Sequence, residues 1–471
     1  MTARLRYCLI LALAFGWLGA GSPPAIASPL PAVIVRSANA KTALRTPPPD
    51  VILLIGIDAL RADHLPAYGY FRSTTPNLDY FIGSQGQALL SATSPAPWTF
   101  PSNGAVHTGL APFRMGLSWS PFAYPVPQSV TTLAEYLRQA GYLTAGFVSN
   151  SYVSHYVGFG QGFDHFDDSL IHVPQESPAC AERLTDQVIT WTTGLTETGP
   201  LFLFAYYIDP HTWYNPPPPY DLFYDPVYTG TLTPAVYGNG NGAAVTSPRD
   251  FEHLAALYDG EISYTDAQIG RLLAHLDGRG MLDNALIAVY ADHGDQFGEH
   301  NLWVHGNSIY EELLRVPLLF RYTGVITPGR EITTPVQTTD VTPTILDYAG
   351  IPVPPGLDGV SLRPLLEGNT PAATRPIYGE IDPVTDPAHW AYGLAPLFAL
   401  RSLRLGDWKY IHHVRDEGND ELYHLSAASP YETQNLVLAE PERAAAMRSQ
   451  IQSFFMLHHM LLPALMVGSA P

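Results

Sequence analysis

Cysteine is nearly missing from this chain of 471 residues: Cys8 and Cys180 are the only two. A framework of internal disulfides is excluded, so stability has to come from the core. Charge is scarce as well, at 14% of residues, and positive charge is scarcest, with 24 Lys and Arg against 43 Asp and Glu for a net −19. A nucleic acid held through its phosphates needs clustered Lys and Arg, so that class of partner is set aside. Long apolar runs are absent too, none reaching the roughly 20 residues that cross a bilayer. Hydrophobic content of 46% excludes a disordered chain. The length allows one large α/β domain with an appendage, or two domains, but not a single small module.

What is present begins with Met1-Thr2-Ala3-Arg4-Leu5-Arg6, an apolar stretch from Tyr7 to Ala20, and Ala25-Ile26-Ala27 before Ser28. A basic start, an apolar middle and a small-x-small site predict a secretory signal peptide over residues 1–27, and hence a periplasmic or secreted protein. Its removal would take away Cys8, Arg4 and Arg6 and leave a balance of 22 − 43 = −21. Cys180 has no nucleophile signature around it and reads as inert. Residues 28–49, ending in Pro47-Pro48-Pro49, form a Pro-rich lead-in.

Two apolar runs carry most of the argument. Val51 to Ile57 stops at Asp58, and Ala285 to Tyr290 runs into Ala291-Asp292-His293-Gly294. Continuous apolar runs predict central strands covered on both faces, and their carboxyl ends are where α/β sheets bind ligands. A buried carboxylate there is costly unless a cation meets it, as a metal would. The competing readings are a helix N-cap at Asp58 and an acidic surface loop at Asp292. Leu201 to Ile208 predicts another such strand, ending at Asp209-Pro210-His211, and Val316 to Phe320 a further one.

Thr99 lies at a predicted helix start, where free amide groups and the helix dipole favour an anionic nucleophile; plain capping competes with that reading. Leu254 to Leu276 has helical spacing, with Asp259, Glu261 and Asp266 expected on a solvated face. Residues 212–250, with Pro216 to Pro219 and five tyrosines, read as a loop rimming a pocket, its tyrosines available to an apolar or sugar-like group. From about Pro376 shorter strands predict an antiparallel subdomain, and residues 441–462 a helix packed on it. His412 and His413 would face opposite ways along a strand and share no ion.

Taken in order, Ile57-Asp58-Ala59-Leu60-Arg61-Ala62-Asp63, Thr74 to Asp79, the Thr99 segment and Asp292-His293-Gly294 resemble the sulfatase family of the alkaline-phosphatase superfamily. Gln337 to Ile351, Leu357 to Leu362, Arg404 to Tyr410 and Glu421 to Leu425 extend the likeness over most of the chain. The resemblance implies an α/β fold: a large, mostly parallel sheet flanked by helices over 50–375, and a small antiparallel α+β subdomain over 376–471. It implies a metal-dependent ester hydrolase or transferase. One divalent ion, zinc or manganese favoured over calcium, would be held by Asp58, Thr99, Asp292 and His293. His211 and His305 match the family's substrate-facing histidines and, beside Thr99, would act as catalytic groups. Asn103 and Asn150 are candidate substrate contacts, and Asp295, Glu299 and His300 have supporting or rim roles.

Where the family carries Cys-x-Pro-x-Arg, this chain has Thr99-Phe100-Pro101-Ser102-Asn103, with no cysteine to become formylglycine and no arginine. Ala145 to Ser151 stands where the family has a segment with Lys and His. These departures resemble members whose unmodified threonine attacks phosphorus. The expected substrate is therefore a phosphate ester or phosphodiester on a small molecule, glycan or lipid. The alternatives are a sulfuric ester hydrolase that works without formylglycine, and a catalytically silent exported binding protein.

Overall fold

The computed structural model describes residues 47–80, 85–117, 124–172, 180–196, 199–238, 240–369, 374–382, 399–426 and 429–459. The expected signal peptide, most of the Pro-rich lead-in and the last residues of the expected tail helix lie outside them.

The apolar run Val51–Ile57 forms β1 at the heart of an eight-stranded sheet. The other strands are β2 (Gln87–Leu89), β3 (Leu143–Val148), β4 (His165–Asp167), β5 (Leu201–Tyr207), β6 (Ala285–Ala291), β7 (Leu318–Tyr322) and β8 (Glu331–Ile332), in the order β8-β2-β7-β6-β1-β5-β3-β4. The five strands from β6 to β4 run parallel, and β7 lies antiparallel to β6. Alternate residues of β1 enter two separate apolar cores, Ile52 and Leu54 on one face, Leu53, Ile55 and Ile57 on the other. Burial on both faces is why the strand's sequence does not alternate.

Helix α1 (Thr99–Thr108) packs on the first face through Phe100 and Val106. The second face is covered by α2 (Cys180–Thr193) and the long α3 (Pro248–Gly278) through Leu184, Leu254 and Leu272. Cys180, the first residue of α2, is a buried free thiol that burial pushes up to about 12.

Two expectations are corrected here. The acids of α3 are not solvated, because loops fold over that side of the helix and need acceptors. Asp259 meets His64, Tyr70 and Arg72, Asp266 takes the backbone N–H groups of Asn77 and Leu78, and Glu261 takes that of Asn215. Within the 212–250 loop, Tyr214 and Tyr237 are buried against each other, with ring centroids 5.7 Å apart, and so are closed to any ligand.

Beyond residue 375 a separate sheet forms from β9 (Ile377–Ile381), β10 (Leu400–Leu405), β11 (Trp408–His413) and β12 (Glu421–His424), antiparallel throughout. Helix α4 (Pro441–His459) packs Ala444, Met447, Ile451 and Phe455 against Leu403, Tyr410 and Leu422 of that sheet. Among the described residues no helix is long and apolar enough to cross a membrane.

Candidate active site

Strand register assembles the site. Gly56 of β1 lies level with Tyr206 of β5 and Tyr290 of β6, and Ile57 level with Tyr207 and Ala291. The three strands therefore end together, and the next residues of β1 and β6, Asp58 and Asp292, emerge side by side. The glycine after His293 is required by close packing, since a Cβ on Gly294 would meet the Glu312 carbonyl oxygen at 2.1 Å.

Asp58 and Asp292 are fully buried. One oxygen of Asp58 accepts from Asn150 Nδ2 at 2.5 Å, and the other has no hydrogen-bond partner. Asp292 accepts from the Ala59 and His293 N–H groups on one oxygen, and from Tyr206 Oη (2.6 Å) and Asn103 Nδ2 (3.2 Å) on the other. His293 donates through Nδ1 to the Gly294 carbonyl at 2.9 Å. That bond leaves the Nε2 lone pair facing Asp58 at 3.4 Å, Asp292 at 3.5 Å and Thr99 Oγ1 at 3.3 Å. Burial, with repulsion from Asp292, pushes the Asp58 carboxyl well above its ordinary range.

Two buried carboxylates and an imidazole lone pair that converge, with one Asp58 oxygen left without a partner, make a donor set that fits a divalent cation. The ligand atoms of Asp58, Asp292 and His293 lie within 4.8 Å of one another.

Thr99 is the first residue of α1, the capping position falls on Trp98, and no side chain caps the helix. The hydroxyl is thus left to His293. Behind it stands a histidine pair: the rings of His305 and His293 are 4.3 Å apart, and those of His211 and His305 4.8 Å. His305 Nδ1 meets Asp295 at 2.5 Å, and burial pushes the imidazole down to about 4, so it is neutral at pH 7. Asp295 also accepts from Tyr214 Oη at 2.5 Å. His211 donates through Nδ1 to the Thr212 carbonyl.

The residues expected to bind metal or substrate or to act in catalysis lie together here, whereas Glu299 pairs with Arg61 and His300 stacks on Tyr310 beside Glu312. Asn103 and Asn150 face the carboxylates, and Asn150 Oδ1 is also taken, by the Tyr152 N–H. Tyr206 and Tyr290 escaped notice because a tyrosine inside an apolar strand reads as core. Asp295, expected in a supporting or rim role, accepts from His305 and Tyr214.

The profile of the sulfatase family matches residues 49–351, and that of the N-sulphoglucosamine sulphohydrolase C-terminal region matches residues 298–456. A choline-sulfatase of Rhizobium meliloti is 38% identical over 200 residues, covering 42% of this chain and 35% of its own length. An N-acetylglucosamine-6-O-sulfatase of Bacteroides thetaiotaomicron is 33% identical over 219 residues, covering 45% of this chain and 37% of its own length. The chain thus spans little more than a third of these relatives. The phosphonate monoester hydrolase of Agrobacterium radiobacter superimposes with a TM-score of 0.72 over 87% of this chain and 96% of its own, at 21% identity, a likeness of fold. The relatives' names favour the sulfate-ester alternative over the phosphate reading.

Proposed function

Because this chain belongs to the sulfatase family, we propose that it is an exported hydrolase of sulfate esters, on a small molecule or a glycan, in which unmodified Thr99 is the nucleophile. The observation that carries this reading is Thr99 Oγ1 standing 3.3 Å from His293 Nε2, beside Asp58 and Asp292. Asp58, Asp292, His293 and the Thr99 oxygen would hold one divalent ion; carboxylates with one imidazole suit manganese or zinc and admit calcium or magnesium. When bound, the ion lowers the hydroxyl pKa and draws charge from the ester oxygen.

Thr99 Oγ then attacks the central atom. The new bond forms as the bond to the leaving alkoxide breaks, and the proton that Thr99 loses passes to a neighbouring acceptor. With Nδ1 of His211 and of His305 engaged by the Thr212 carbonyl and by Asp295, Nε2 of one of these imidazoles would be that acceptor, taking the Thr99 proton and passing it on to the leaving oxygen. Water attacking the Thr99 ester in a second step restores the hydroxyl.

One feature favours a second reading, transfer from phosphorus as in a phosphodiester: position 99 is Thr and not Cys, and the residue one turn on is neutral Asn103. The test is the purified chain with calcium, magnesium, manganese or zinc, assayed against 4-nitrophenyl sulfate, bis(4-nitrophenyl) phosphate and 4-nitrophenyl phosphate. Turnover of phosphorus esters with none of sulfate overturns the first reading, and the reverse removes the second. Thr99→Ala should abolish either activity and with it any Thr99-linked intermediate seen by mass spectrometry. Export is checked by cell fractionation and by an N-terminus at Ser28.

A further inference from the structure

The face of the sheet beneath Thr99 holds a polar group of unusual make-up. Tyr290 Oη donates to Asn103 Oδ1 at 2.6 Å, and Asn103 Nδ2 lies 2.9 Å from the Thr99 carbonyl, 3.2 Å from Tyr206 Oη and 3.2 Å from Asp292 Oδ2. Tyr206 Oη donates to that same Asp292 oxygen at 2.6 Å. All three side chains are buried. Their convergence depends on Gly56, where a Cβ would stand 2.5 Å from the Tyr206 ring and 2.9 Å from Tyr290 Oη. Four segments distant in sequence thus each contribute one residue to the group.

The group carries no positive charge. The chain's two lysines are Lys41 and Lys409, and Lys409 is held by Glu311 and Glu432. Arg61 is committed to Asp63, Glu299 and the Asp295 carbonyl. Among the described residues no lysine or arginine donates to Asp58, Thr99 or Asp292. Something neutral must therefore orient Asp292 and hold the first turn of α1.

We propose that Tyr206, Asn103 and Tyr290 form a neutral clamp of positioning residues: Tyr206 fixes the Asp292 oxygen that faces the cation, while Asn103, held by Tyr290, ties the Thr99 backbone to that carboxylate. The inference rests on the metal reading above. It differs from the expectation that Asn103 contacts substrate, since the amide's donors and acceptor are met by protein groups.

The test is calorimetric titration of the full chain with MnCl2, backed by thermal melts. Partners that orient a ligand usually change metal affinity by about 10- to 100-fold. Tyr206→Phe, which removes one oxygen and no packing volume, should weaken manganese binding by that factor. Tyr290→Phe leaves the Tyr206–Asp292 bond intact, so it should weaken binding only a few-fold while lowering kcat at unchanged KM. A folded Tyr206→Phe protein that binds manganese within twofold of the wild type overturns the clamp and leaves the metal reading standing. If Tyr206→Phe does not fold, Tyr290→Phe decides, and unchanged affinity together with unchanged kcat overturns the proposal. A wild-type chain that binds none of the four metals overturns the metal reading and the clamp together.

Discussion

Two carboxylates and an imidazole lone pair face one another at the ends of β1 and β6, each held from behind: Asp58 by Asn150, Asp292 by Tyr206 and His293 by the Gly294 carbonyl. Asp295 does the same for the neighbouring His305, receiving both His305 Nδ1 and Tyr214 Oη. Asp295→Asn would offer an amide where two donors converge. It should lower kcat by about 10- to 100-fold with little change in KM, as loss of an orienting partner does, measured on whichever aryl ester the wild type turns over. His107 makes a different prediction. It is buried in α1 with Nε2 unpartnered, and burial pushes it down to about 3. An unfolded histidine takes up a proton near pH 6.5, so between pH 6.5 and 3 the unfolded state binds more protons and stability falls as pH falls. At pH 5 the loss is about 2 kcal/mol relative to pH 7, and His107→Phe should remove that part of the slope in denaturant titrations. At this scale the sequence was half legible. Asp58, Asp292 and His293 stand at the ends of apolar runs, where a polar residue calls for explanation, whereas Tyr206 and Tyr290 have the hydrophobic bulk that a buried strand is expected to contain.

Among elements, the central strands were readable because burial on both faces removes alternation. Helix α3 was readable as a helix but not in its environment: periodicity separates a polar side from an apolar one, yet cannot tell water from a covering loop. The close row Tyr206, Gly56, Tyr290 leads to a test. Gly56→Ala forces a Cβ against two rings, and overpacking of this kind costs about 1–3 kcal/mol, to be seen as a lower midpoint in urea. At the edge strand β9, Glu380 is buried with one oxygen unpartnered, and burial pushes it up to about 8. Here the folded state holds the proton more tightly, so stability falls as pH rises from about 4.5 to 8. Glu380→Gln, which can still accept from the Phe113 N–H, should be the more stable protein at pH 8 by about 4 kcal/mol and equal to wild type below pH 4.5.

At the scale of the whole molecule, the proposed cation would close a gap between strands that is lined by Asp58, Asp292 and His293. Metal present at 100 times its dissociation constant stabilises the folded state by about 2.7 kcal/mol, and for a chain of this length stripping it should lower Tm by about 3 °C, restored on adding the ion back. The substrate was the least legible feature, because the departure at Thr99 and Asn103 speaks only to the reacting atom, and the irregular stretch 212–250 has no pattern that names the rest of an ester. Scarcity of cysteine has a use beyond what it excludes. Among the described residues Cys180 is the one thiol, buried at the start of α2. A thiol reagent can reach it only when that helix lifts from the sheet, so the labelling rate is a clock for local opening. A dye attached there in denaturant would sit at one known address.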